Sequence, residues 1–188
     1  MKTRLKSLFL AIAVVATTST FAQKKEIKTS ESTINWTGKK VTGSHTGTLK
    51  LSKGFLVFDG DNITGGEFVV DMTSLAVTDL EAGKGKEKLE GHLSSDDFFG
   101  IANHKNAKLV VTKTKKTDKG YTVAGDLTIK GKTNPIKFIL AVNGGTASTT
   151  LKVDRTKYDI KYGSGSFFDN LGDKAINDEF ELAVSLKM

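Results

Sequence analysis

The stretch KLEGHLSSDDFFG, residues 88–100, gathers one of the chain's three histidines with two serines, two aspartates and two phenylalanines. These are the residue types of a metal site or of a nucleophile–base pair. His92 and Asp96 stand four apart, the spacing that puts two ligands on one face of a helix. The rest of a ligand set is missing from the pattern: His45 and His104 are remote, and no HExxH motif occurs. Ser94 lies near His92, but no GxSxG elbow exists, and such an elbow needs a strand-to-helix turn. The run GSGSFF at 163–168 completes neither GxxxxGK[ST] nor GxGxxG. No catalytic set and no metal set is assembled by spacing. The plainer reading is structural. Leu89 and Leu93, four apart on one side of a short helix, pack with Phe98 and Phe99 onto a larger apolar body. His92 and the acids then hydrogen-bond or face water. Ser94 or Ser95, ahead of Asp96 and Asp97, has the order of a turn or helix start.

Two other stretches are rich in hydrogen-bond donors. GKKVTGSHTG supplies Lys39, Lys40 and His45, and VDRTKYDIKYGSG supplies Arg155, Tyr158 and Tyr162. Donors of this kind suit a phosphate, hydroxyl or amide head group, and Arg holds a phosphate through two bonds. The alternative is that Arg155 pairs with Asp154 or Asp159 and that the lysines are surface charges.

The elements that must position these residues follow from the rest of the chain. Lys2, Arg4 and Lys6, the apolar run Leu8 to Ala16, and small residues up to Ala22 have the layout of a secretory signal peptide over residues 1–22. The apolar run is shorter than the ~20 residues that span a bilayer. Cleavage after about Ala22 leaves 166 residues, enough for one domain over 23–188, and places the protein outside the cytoplasm, in the periplasm. With no cysteine, an exported chain depends on packing and backbone pairing rather than on disulfides. The 28 basic and 21 acidic residues are interspersed, which argues against a nucleic-acid surface.

Proline occurs once, and glycines separate short runs rich in Thr, Val, Ile, Phe and Leu. That is strand-and-turn punctuation. Eight strands are expected, at about 27–38, 45–58, 63–71, 107–116, 120–130, 134–142, 146–156 and 178–187. Several alternate with a period of two. Phe180, Leu182, Val184 and Leu186 share one face of the last, opposite Glu179, Glu181, Ser185 and Lys187. Tyr121, Val123, Leu127 and Ile129 do so in the fifth, and Ile136, Phe138, Leu140 and Val142 in the sixth. The links TDKG, IKGKT and NGGT favour antiparallel neighbours. Residues 72–106 and 162–175 break the alternation and form two excursions. Eight sequential antiparallel strands close into a barrel or split into a sandwich. A membrane barrel needs aromatic girdles, whereas this chain has one Trp and three Tyr, which favours a barrel with its apolar face inward and no stable membrane insertion. A closed barrel of eight strands holds one small ligand.

Five blocks carry a family resemblance: STINWTGKKVTGSHTGTL, GGEFVVDMTSL, KLEGHLSSDDFF, VAGDLTIKGKTNPIKF and DRTKYDIKYGSGSFFDNLGDKAINDEFEL. In these and in their order, residues 27–188 resemble the YceI-like family of exported, lipocalin-like, polyisoprenoid-binding proteins. The resemblance implies an eight-stranded antiparallel lipocalin-like barrel with a short helical excursion between the third and fourth strands. It also implies an isoprenoid or other long-chain lipid as partner, a non-enzymatic carrier role, no cofactor, and the 88–100 block as a cavity-shaping wall. Candidate tunnel residues are Phe68, Val70, Leu109, Val111, Val123, Leu127, Phe138, Leu140, Phe180 and Leu182. Candidate head-group residues are His45, Arg155, Lys40, Tyr158 and Tyr162. Any barrel has an apolar inner face, so core filling is the competing reading for each tunnel position. A hydrolase acting on a bound amphiphile, a membrane or structural barrel, and a homodimer all remain open at this point.

Overall fold

The computed structural model describes residues 22–188. Apart from Ala22, the segment read as a signal peptide lies outside the described residues. Nine strands, β1 (Gln23–Glu26), β2 (Thr33–Lys40), β3 (Gly43–Asp59), β4 (Asn62–Val77), β5 (Asn106–Thr117), β6 (Gly120–Ile129), β7 (Lys132–Asn143), β8 (Thr146–Asp154) and β9 (Glu179–Lys187), form one antiparallel sheet. One helix, α1 (Lys86–Ser94), lies between β4 and β5. Strands β2 to β9 close on themselves through the β2–β9 and β3–β4 pairings, which gives the expected eight-stranded barrel. The expected 27–38 strand is corrected: its first residues form a short 3-10 turn at Thr29–Glu31, the strand itself is β2, and β1 precedes the expected start. β1 pairs with Phe55–Phe58 of β3, and β2 pairs with Gly43–Leu49 of the same strand. The long β3 therefore takes two partners in succession along one edge.

Turn chemistry sets the hairpins. Gly144 and Gly145 both have positive φ between the paired Asn143 and Thr146, the two-residue link that matches strand twist. Alternation sets the faces. In β6, Tyr121, Val123, Leu127 and Ile129 are buried while Asp126 is exposed.

Two features shape the interior. β4 bends after Asp71, where its pairing with β3 jumps from Lys50↔Asp71 to Thr48↔Ala76. The Asp71 carboxylate accepts the backbone N–H and hydroxyl of Thr73, at 2.9 and 2.6 Å, and Ser74 Oγ accepts the Lys50 N–H at 2.8 Å. These side chains replace the missing ladder bonds, so the expected end of the strand at residue 71 is a kink, and pairing resumes to Val77. The second feature is the β7–β8 seam. It holds only three pairs, Ala141↔Ser148, Val142↔Ala147 and Asn143↔Thr146, although β7 begins at Lys132 and β8 runs to Asp154. The neighbouring β6–β7 ladder runs without a break from Ile129↔Lys132 to Tyr121↔Leu140. Far from the hairpin, the seam is bridged by Asn134 Nδ2 donating to the Lys157 carbonyl at 2.8 Å.

The apolar core has two parts, one at each end of the barrel. Leu56, Ile63, Tyr121, Val123, Leu140 and Leu186 pack at the β3–β4 hairpin end, where Ile27 also tucks in. Met72, Phe98, Ile101, Leu127, Ile129 and Ile160 pack beneath α1 and the two excursions.

Candidate ligand cavity

Between these two clusters runs a cavity of about 480 Å³. All ten expected tunnel positions lie on its wall: Phe68 and Val70 from β4, Leu109 and Val111 from β5, Val123 and Leu127 from β6, Phe138 and Leu140 from β7, and Phe180 and Leu182 from β9. Ile34 and Trp36 of β2, Leu49 and Leu51 of β3, and Thr149 and Leu151 of β8 complete the circle. Every strand of the barrel thus contributes. Core filling and cavity wall coexist, since Val123 and Leu140 are buried and still bound the cavity.

α1 covers one end. Leu89, His92 and Leu93 reach the cavity from its inner side, followed by Phe98 and Phe99. The helix is pinned to β4 by Glu90, whose carboxylate accepts the Val77 N–H at 2.8 Å. Ser95 ends α1 rather than starting a new one: its hydroxyl and its backbone N–H both donate to the His92 carbonyl. His92 stands edge-on to Phe98 and to Tyr162, with centroid distances of 4.9 and 4.5 Å. The ring is thus an aromatic wall element rather than a water-facing polar group. Among the described residues, no three His, Cys, Asp or Glu side chains converge as a metal set.

The wall's charged side chains gather mostly at this α1 end. Lys39, Lys40, His45, Tyr162, Asp173 and Lys174 line it. His45 Nδ1 lies 2.8 Å from Asp79 Oδ2, and Asp79 Oδ1 accepts the Thr46 N–H at 2.9 Å. Burial pushes the Asp79 carboxyl up, but these hydrogen bonds outweigh it and hold the group below the usual carboxylate range.

Two head-group expectations need correction. Tyr158 is not on the cavity wall; it is buried in the core cluster beneath the excursions, where desolvation and then the Asp154 charge raise its pKa. Arg155 does line the cavity, but its guanidinium serves the chain. It donates to the carbonyls of Ile160 at 2.8 Å, Ile176 at 3.0 Å and Asn177 at 3.0 Å. Its acidic neighbour is Asp178, at 3.6 Å, rather than Asp154 or Asp159. Burial lowers its pKa, against the charges of Asp178 and Asp154. Arg155 therefore ties together the 155–178 excursion that carries Tyr162, Lys174 and Ile176 to the cavity. The same excursion is joined to β2 by the Lys40↔Ile176 bridge and by Asn177 N–H donating to the Lys39 carbonyl.

Sequence reasoning assigned no site role to Trp36 or Thr149. The signal for Trp36 was present: Ile34 and Trp36 alternate with Asn35 and Thr37, so the indole had to point inward. Gly47 stands directly opposite it on β3, and a Cβ there would lie 2.4 and 2.5 Å from two indole carbons. The glycine lets the indole lie flat against the β3 backbone.

The chain is thus a closed antiparallel barrel of the lipocalin-like kind, with an apolar interior and polar groups at one end. Residues 26–188 match the YceI-like domain, and the chain belongs to that family. Curated relatives include a UPF0312 protein of Pseudomonas putida, 32% identical over 99 residues, covering 52% of this chain and 49% of the relative. Another UPF0312 protein, from Serratia proteamaculans, is 32% identical over 90 residues, covering 48% and 44%. The matched stretch thus spans about half the length of these relatives. Among solved structures, Burkholderia cenocepacia BcnA superposes with a TM-score of 0.66 at 21% identity, covering 85% of this chain and 98% of BcnA. A polyisoprenoid binding domain from Saccharophagus degradans, implicated in plant cell wall breakdown, superposes with a TM-score of 0.57 at 13% identity, covering 86% and 95%. At these identities the likeness shows the fold.

Proposed function

We propose that this chain is a non-enzymatic carrier that holds an isoprenoid or another long-chain amphiphile inside the barrel after export to the periplasm. The observation that carries this reading is the cavity of about 480 Å³, walled by apolar side chains from all the barrel strands, with charged side chains collected at the α1 end. Burying a methylene gains roughly 0.8 kcal/mol, so a five-carbon prenyl unit gains up to about 4 kcal/mol before ordering costs. A few units then suffice for tight binding with few polar contacts. His45, Lys40 and Tyr162 stand where a polar head group would rest, and Arg155 supports that end by holding the excursion in place. The description of the Saccharophagus neighbour as polyisoprenoid binding supports the ligand class. The leader-like segment at residues 1–22 supports export. Alternation with apolar residues inward and Asp126 exposed supports a barrel that does not insert into lipid.

The test is purification from the native compartment without detergent, organic extraction, and mass spectrometry of what is released. The expected result is a long-chain isoprenoid or related amphiphile at close to one per chain. A folded, lipid-free protein that takes up no added isoprenoid would overturn the carrier reading.

A further inference from the structure

Five large apolar side chains are exposed among the described residues: Val41, Ile139, Tyr162, Phe167 and Phe168. Ile139 lies apart, on β7. The other four belong to the β2–β3 turn and to the 155–178 excursion, which are laced together. Val41 N–H donates to the Ala175 carbonyl at 3.2 Å, and Ile176 N–H donates to the Gly163 carbonyl at 2.8 Å. This rim is where the cavity meets the surface: Lys39, Lys40, Tyr162 and Lys174 are exposed and also bound the cavity. Val41, Phe167 and Phe168 do not bound it, so their apolar surface contributes nothing to the inner wall.

The two phenylalanines are displayed by an ordered turn. Phe167 and Phe168 are 50% and 51% exposed, and Val41 is 65% exposed. Ser164, which is fully buried, anchors the turn. Its carbonyl accepts the N–H groups of Phe167 at 3.1 Å and Phe168 at 3.0 Å, and its hydroxyl accepts the Ser166 N–H at 3.2 Å. Lys161 Nζ lies 5.2 Å from the Phe167 ring centroid. Exposed aromatic rings beside lysines suit a water–lipid boundary, where the rings enter the headgroup layer and the ammonium groups stay in water. Charge alone does not supply the contact. Asp159, Asp169 and Asp173 lie among these lysines, and Asp159 pairs with Lys161 at 2.8 Å. Apolar contact has to lead.

We propose that this rim is a docking surface for a phospholipid bilayer. Val41, Phe167 and Phe168 enter the headgroup layer, and the barrel stays in water with its mouth against the membrane. This rests on the carrier reading and adds how the carrier is loaded. The cargo decides the occupant. Each methylene lowers a chain's concentration in water about fourfold relative to an apolar phase, so a chain of about fifteen carbons is depleted about a billionfold. Diffusion through water is then a poor source. A mouth bordered by exposed aromatic rings lets the chain pass from bilayer to barrel without that crossing. A second copy seated on the same rim would cover the mouth and cut it off from any lipid.

The test is flotation of the protein, purified without detergent, with vesicles of phosphatidylethanolamine and phosphatidylglycerol at physiological salt, where long-range attraction is screened. Wild type should float with the vesicles. Phe167→Ser and Phe168→Ser should each weaken vesicle binding about tenfold, and the two together about a hundredfold, as half-exposed rings are lost from the interface. The same variants should keep the wild-type urea midpoint. Farnesol should displace N-phenylnaphthylamine from them as it does from wild type, since neither ring bounds the cavity. Wild type that stays out of the vesicle fraction, or a double variant that floats as well as wild type, overturns the docking surface alone. A dimer in analytical ultracentrifugation that the two substitutions dissolve overturns the bilayer in favour of a second copy. Failure of farnesol to displace the dye from wild type overturns the carrier reading and the loading role with it.

Discussion

Arg155→Met is the most informative single substitution for the α1 end of the barrel. Methionine keeps an unbranched apolar stem and removes all the donors. Arg155 is 3% exposed and donates to three carbonyls, of which only the bond to Ile160 is fully buried. Losing that bond leaves a carbonyl unsatisfied at about 1–3 kcal/mol. The Ile176 and Asn177 carbonyls are partly accessible and can recruit water, so each should cost roughly 0.5–1 kcal/mol. Removing the buried guanidinium also relieves its own desolvation, the main cause of its lowered pKa. The balance is about 2–4 kcal/mol of lost stability, in line with the removal of one partner from a buried charged network. Urea unfolding reads it directly. With m of about 2 kcal/mol/M, the midpoint should fall by about 1–2 M at constant m. Arg155→Lys restores charge without the planar fork that reaches three oxygens together, and should recover less than half of the loss. A midpoint change below about 0.3 M for Arg155→Met, or full rescue by Lys, would refute the view that carbonyl clamping is what Arg155 does.

Three further outcomes follow from the geometry. Gly47→Ala places a Cβ 1.9 Å from the Ala76 carbonyl oxygen and 2.4 Å from the Trp36 ring, so β4 or the indole must shift; a loss of 3 kcal/mol or more is expected in urea unfolding, near or above the top of the range for overpacked sites, with a changed tryptophan emission spectrum. Glu90→Ala removes the acceptor of the Val77 N–H and should speed hydrogen exchange of that amide at least tenfold, whereas Glu90→Gln, which keeps an acceptor oxygen, should stay close to wild type. Asp79 ionises more readily folded than unfolded, so its contribution is complete above the unfolded carboxylate value of about 3.9 and is lost as pH falls through the lower folded value. The stability gap between wild type and Asp79→Asn, measured by denaturant titration, should accordingly shrink as pH falls below about 4.

How much of this was legible in the sequence depended on whether a residue's partners lie close along the chain. Phe180, Leu182, Val184 and Leu186 alternate, and all of them bound the cavity. Period and pleat are the same fact, so the barrel and its inner face could be read directly. β1 could not be read. QKKE has no apolar face, all four residues are exposed, and only backbone pairing with Phe55–Phe58 makes it a strand. The kink in β4 hid its own continuation, because Asp71 and Ser74 substitute side chains for ladder bonds and break the alternation that marks a strand. Arg155 was matched with Asp154 and Asp159, its nearest acids in sequence. Its real partners include the carbonyls of Ile176 and Asn177, and no residue-type pattern records a carbonyl. Trp36 reads as one more apolar residue, and only the folded chain shows that its N–H finds no partner among the described residues.

The three-pair seam between β7 and β8 gives the barrel a direction of weakness. Elsewhere the circumference is fastened by long zips; here a short one closes a gap flanked by Phe138 on one lip and Thr149 and Leu151 on the other. Local opening takes the route that breaks the fewest backbone bonds, so breathing of the native state is expected along this line, as faster amide exchange than at the other seams. Parting the lips exposes the interior from the side without disturbing α1, although it breaks the Asn134–Lys157 bond to the excursion. In the proposed carrier, such a parting would let a bound chain leave sideways, where the end of the barrel would require it to leave lengthwise.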